Sequence, residues 1–110
     1  MNVSSGPAAI YEAIPELHRL RDEMLYGDVW RQPEMSVRDR SLVTCCVLAT
    51  LGREEELRFH MGKARENGVS PDEMRGLAVQ LALYAGWPAG LSVGRAALPF
   101  LREDTSHAEV

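Results

Sequence analysis

Glu56 and His60 stand four residues apart in the stretch Arg53–His60, REEELRFH. On a helix, positions i and i+4 share one face, a turn apart. A carboxylate beside an imidazole can orient the ring and steer a proton on and off it, which is acid/base chemistry near neutral pH. The same two groups could also ligate a metal. Two ligands are too few without a third from another subunit, so no metal is expected. An isolated Glu/His pair at this spacing is more often a solvated helix surface than a site, so its weight comes from the rest of the chain.

The two cysteines, Cys45 and Cys46, are adjacent in the apolar run LVTCCVLATL. On a helix they point about 100° apart, and neighbours in sequence rarely close an unstrained disulfide. Their spacing matches neither a metal site nor a C-x-x-C redox pair. They read as small buried hydrophobes, and a reducing cytoplasm fits them.

The chain has 110 residues, of which 45% are hydrophobic and 25% charged, with a formal net charge of −4. That is the size of one domain, here expected over 1–110 with a helical core over about 7–103 and flexible ends at 1–6 and 104–110. A domain of this size buries roughly 65% of its unfolded surface, enough for one core without staples. The acidic, well-mixed charge argues against a nucleic-acid partner, which calls for a basic stripe. MNVSSGPAAI lacks the basic-then-apolar order of a secretory leader, and no run approaches the ~18 to 20 apolar residues that span a bilayer. A cytoplasmic protein without a membrane partner is expected.

The elements that must position Glu56 and His60 are all helical. Ile10, Ile14, Leu17, Leu20, Met24 and Leu25 recur at helical steps from Pro7 to about Tyr26. Pro15 should kink or split that helix, and Gly27 should end it in a left-handed conformation. Residues 28–35 (DVWRQPEM) form a connector whose Trp30 packs or walls a pocket. Ser36–Leu51 is the clearest helix, opened by an approximate Ser36/Asp39 capping box. Leu42, Val43, Cys46, Val47, Thr50 and Leu51 make its apolar stripe, widened by Cys45, Leu48 and Ala49.

Arg38 and Arg40 oppose the macrodipole at the start of that helix. They are simply solvated there, or they meet a bound carboxylate or an acid on another helix. Gly52 separates it from a helix over about 53–67, with Leu57, Met61 and Ala64 on its apolar side, Glu56 and His60 at the margin and Asn67-Gly68 as its stop. Ser70-Pro71-Asp72-Glu73 opens the next helix with a full set of start signals, and Gly86 closes it. Gly90, Gly94, Ala96 and Ala97 allow close approach of a last helix, which Pro99 should kink or end. His18 and His107 carry no assigned role. No strand-like alternation appears, so the expected fold is an all-α bundle of five to six short helices.

The ordered set Trp30, Arg38-x-Arg40-Ser41-Leu42, Glu56-Leu57-x-x-His60, Asn67-Gly68 and Tyr84-x-Gly86-x-Pro88 resembles the carboxymuconolactone decarboxylase family. The likeness covers about residues 22–98 and implies the all-helical alkylhydroperoxidase D-like fold, commonly assembled as homo-oligomeric trimers or hexamers. Peroxidase members of that fold carry C-x-x-C ahead of a histidine. Aligned on His60, their cysteine positions fall on Arg53 and Glu56, so peroxidase or disulfide chemistry is disfavoured. The decarboxylase branch is similar but departs in places: Gln32 and Glu34 replace arginine and glycine of W-x-R-P-G-L-S, and Ala85 and Leu91 replace cysteine and asparagine of Y-C-G-x-P-A-A-N.

The resemblance implies a cofactor-free loss of carbon dioxide from a small carboxylated lactone or related cyclic substrate, of the kind met in aromatic-compound catabolism. In that reading His60 is the proton carrier and Glu56 its orienting or relay partner. Arg38 or Arg40 clamps a carboxylate, Tyr84 donates a hydroxyl hydrogen bond, and Trp30 walls the site. The replaced positions leave open a repurposed isomerase or lyase of a biosynthetic pathway, or a non-catalytic oligomeric binding module.

Overall fold

The computed structural model describes residues 6–104, and its elements over that range are helical, with no strand. The lead-in before Gly6 and the tail after Asp104, which includes His107, lie outside the described residues. The chain divides into two compact units, residues 1–36 and 37–110.

In the first unit α1 (Pro7–Ala13) and α2 (Pro15–Leu20) flank Ile14, whose φ of −128° and ψ of 77° break the helix. Pro15 has no N–H to continue α1 but is well suited to the first turn of α2, so it splits the helix as expected. Beyond Leu20 the coil widens into a π-helical turn over Arg21–Leu25, where Tyr26 N–H donates to the Arg21 carbonyl at 2.9 Å. Gly27 does not adopt the left-handed conformation expected of it. It is needed because a Cβ there would lie 2.5 Å from the Asp22 carbonyl oxygen and 2.6 Å from that of Glu23. The widened turn has brought those carbonyls in.

A 3₁₀ turn, Val29–Arg31, follows. The apolar stripe of this unit stays exposed at Ile10, Ile14, Leu17, Leu20, Met24 and Leu25. Part of it lines an open groove of about 420 Å³ with Tyr11, Arg21 and Val29.

The second unit holds α3 (Val37–Thr50), α4 (Glu54–Glu66), α5 (Pro71–Tyr84) and α6 (Trp87–Glu103). Its core joins Cys45 and Ala49 of α3 to Leu57, Met61 and Ala64 of α4, Met74, Leu77 and Leu81 of α5, and Val93, Ala96 and Ala97 of α6. The buried face of α3 keeps only part of the expected stripe: Cys45 and Ala49 are buried, and Leu42, Cys46 and Leu48 pack partly buried against the core. Ser41, Cys45 and Ala49 face inward, whereas Val43, Val47 and Leu51 are 49%, 49% and 64% exposed. The helix is apolar nearly all round, so periodicity could not single out one face.

Gly52 (φ 73°), Gly68 (φ 106°) and Gly86 (φ 111°) make the breaks between these helices, as read from the sequence. Ser70 and Glu73 form a reciprocal capping box at the start of α5. Glu73 also takes an ion pair from Arg38 of α3, which accounts for a cation at a helix start. Arg75 ties the opening of α5 to the end of α6, donating to Asp104 at 2.8 Å and to Asp72 at 2.8 Å; those hydrogen bonds hold its guanidinium above its usual range. Gly90 lets α6 close on α5, since a Cβ there would sit 2.6 Å from the Ala82 Cβ and 2.7 Å from the Ala78 carbonyl oxygen. Gly94 has nothing within 4 Å of that position, so it is not part of the close approach. Nor does α6 end at Pro99; it continues to Glu103.

Candidate active site on the fourth helix

The buried strip of α4 is Leu57, Met61 and Ala64. At about 100° per residue, Glu54 and His60 fall about 120° apart, on either side of that strip, and Glu56 lies farther out beyond His60. His60 is accordingly half-buried and Glu56 exposed. They share a flank, as their spacing requires. Next to them Phe59 stands with its ring edge-on to the His60 ring, centroids 5.2 Å apart, and the Lys63 ammonium lies 5.7 Å from the Phe59 centroid. An imidazole on this half-dry flank can exchange a proton with a bound molecule, and a carboxylate one turn earlier can orient it.

The other expected site residues are more dispersed. Arg38 is held by Asp39 at 2.7 Å and by Glu73. Arg40 is half-buried in the same first turn of α3. The amide of Asn67, at the end of α4, donates to Ser41 Oγ at 2.9 Å. About 10 Å of helix rise separates Asn67 from His60, so both arginines stand near the end of α4 remote from Glu56. Tyr84, at the last turn of α5, is 82% exposed and about 16 Å of rise from Glu73, the partner of Arg38. Trp30 belongs to the first unit, half-buried, its ring 5.5 Å from that of Tyr26. Within residues 37–104, then, Glu56 and His60 share one flank of α4, whereas Arg38 and Tyr84 lie away from it.

The opposite flank of α4 holds residues that the sequence reading passed over. Glu54 Oε1 accepts from Ser92 Oγ at 2.5 Å and from Arg95 at 2.9 Å, both on α6. Its Oε2 is buried without a hydrogen-bond partner. The Arg95 and Ser92 hydrogen bonds hold the Glu54 carboxyl below its usual range, against the opposing effect of desolvation. In sequence Glu54 was simply an acid suited to a helix start; its partners lie 38 and 41 residues away, beyond any spacing rule.

Both cysteines are free thiols. Burial pushes the Cys45 thiol up to about 12 and raises Cys46 as well. A thiol that does not ionise near neutral pH is a poor nucleophile, which agrees with the absence of cysteine at positions 53 and 56. Among the described residues no three His, Cys, Asp or Glu side chains converge as metal ligands.

The second unit is all-helical over its described residues, with Glu56 and His60 on one flank of α4 and both thiols raised by burial. The chain belongs to the carboxymuconolactone decarboxylase family, whose model matches residues 15–98. Over 64 residues it is 48% identical to a 4-carboxymuconolactone decarboxylase of Acinetobacter baylyi, covering 58% of this chain and 48% of that protein. It is 33% identical over 67 residues to a nitrosuccinic acid decarboxylase of Metarhizium robertsii, covering 61% of this chain and 47% of that one. The chain thus spans about half the length of the curated relatives it matches.

Proposed function

We propose that the chain is a cofactor-independent decarboxylase-like lyase acting on a small carboxylated lactone or a related cyclic acid. The observation that carries this reading is a half-buried His60 with Glu56 one turn before it on the same flank of α4, in a chain whose relatives are named as decarboxylases. The C–C bond to the departing carboxylate breaks and its electron pair moves into a conjugated carbonyl, giving an enolate-like anion and carbon dioxide. Imidazolium at His60 then delivers a proton to carbon and regains one from solvent, with Glu56 orienting the ring. Arg38 or Arg40 holds a substrate carboxylate, and the Tyr84 hydroxyl donates to the developing oxyanion.

The arginines stand far along the α3–α4 pair from Glu56, and Tyr84 is exposed. The outer stripe of α3, Val43, Val47 and Leu51, is apolar and uncovered. We therefore place the working site in a homo-oligomer, a trimer or hexamer, in which neighbouring copies bring these groups together. Free, unreactive thiols fit a cytoplasmic setting.

The test is carbon dioxide release from 4-carboxymuconolactone and from nitrosuccinic acid, assayed across size-exclusion fractions whose mass is read by light scattering. Release is expected from 4-carboxymuconolactone, coincident with a species of three or six chains; release from nitrosuccinic acid alone, which is acyclic, would contradict the cyclic-substrate reading. An assembled protein that releases none from either would favour the binding-module reading.

A further inference from the structure

Among the described residues the buried polar residues are Ser41 and Ser92, at 0% and 4% exposure. Each meets α4, at opposite ends and from different helices. Ser92 of α6 donates to Glu54 in the first turn at 2.5 Å, and Ser41 of α3 accepts from Asn67 just past the last turn at 2.9 Å. Between these two points the buried residues of α4 are Leu57, Met61 and Ala64. A narrow apolar strip fixes how closely a helix packs but only weakly how it is rolled about its axis, because apolar contact is not directional. Hydrogen bonds are directional, and each of these two ends on a buried serine hydroxyl.

We propose that Glu54, Ser92 and Arg95 form a latch that sets the roll of α4 and so fixes where His60 points, making Glu54 a positioning residue for the chemistry on the opposite flank. Glu54 and His60 lie on either side of the strip, so rolling α4 to release one turns the other with it. The second pin, Asn67 on Ser41, holds the far end, and loss of the Glu54 pin frees the half of α4 that carries Glu56 and His60. The bearing of the latch on turnover rests on the proton-carrier reading of His60. Its effect on the ring itself does not.

The test titrates the His60 imidazole by NMR, without substrate, in the wild type and in Glu54→Ala, Ser92→Ala and Glu54→Gln. Glu54→Ala and Ser92→Ala both break the Glu54–Ser92 hydrogen bond, but only the first removes a charge. Glu54→Gln removes the charge and keeps an oxygen for the Ser92 hydroxyl. The titration midpoint is expected to move by about half a unit in Glu54→Ala and Ser92→Ala through changed burial, and to stay nearer the wild type in Glu54→Gln. Turnover would fall roughly tenfold to a hundredfold in the first two, in kcat rather than KM.

Equal shifts in Glu54→Ala and Glu54→Gln with none in Ser92→Ala would reduce the cluster to a charge effect and overturn the latch, as would no shift in any variant. Should Ser92→Ala not fold, the Glu54→Ala against Glu54→Gln comparison decides alone. A shifted titration in a protein inactive on every substrate would keep the latch and sink the proposed function instead.

Discussion

Glu54 and Glu56 lie two positions apart on one helix, yet their surroundings differ in every respect that matters to a carboxylate. Glu56 faces solvent. Glu54 is hydrogen-bonded to a buried hydroxyl and to a guanidinium, and one of its oxygens is sealed from water. Because its folded value is depressed, its ionised form stabilises the fold above the ordinary carboxylate value of about 4.3. That contribution is lost as pH falls through the lower, folded value. Thermal melts of the wild type and Glu54→Gln should therefore differ at pH 7 and draw together in acid. A gap that widens in acid would mean the sign is wrong. In the sequence the two glutamates look alike, and Glu56 stands out only because His60 follows it by one turn. Which of them the fold grips is decided by Ser92 and Arg95, far along the chain.

The helices were legible where local chemistry dictates them. Pro15, Gly52, Gly68, the Ser70–Glu73 box and Gly86 all act at the positions where they were read. What failed to show was contact across helices. The stripe assigned to α3 was too wide: its Val43, Val47 and Leu51 side faces outward, because a helix apolar on every side has no inward signature. Gly27 proved to be a matter of crowding by carbonyls brought in by the π-helical turn, and that turn has no sequence signal.

Small residues in α6 divide the same way. Gly90 abuts α5 and Gly94 does not. Gly90→Ala is expected to cost about 1 to 3 kcal/mol by overpacking against Ala82 and the Ala78 carbonyl. Gly94→Ala should instead stabilise by about 0.5 to 1 kcal/mol, the helix propensity of alanine over glycine. Denaturant melts of the two variants check this, and a Gly90→Ala protein as stable as the wild type would contradict the close packing.

At the scale of the whole molecule, family membership and helical architecture stand on the match over residues 15–98 and on the fold. Among the described residues no helix is long and apolar enough to cross a membrane. The proposed chemistry is narrower and depends on one ring. Arg38 is paired with Glu73, Tyr84 is exposed, and the apolar outer stripe of α3 is uncovered, so within the second unit Glu56 and His60 stand on one flank of α4 apart from Arg38 and Tyr84.

His60 is the group on which the decarboxylation reading turns. The most direct measurement is the kcat for carbon dioxide release from 4-carboxymuconolactone by the wild type and by folded His60→Ala, side by side. A general acid typically contributes about 10² to 10⁴-fold, so a loss of that size is expected in the variant. Turnover undiminished in His60→Ala would contradict the assignment.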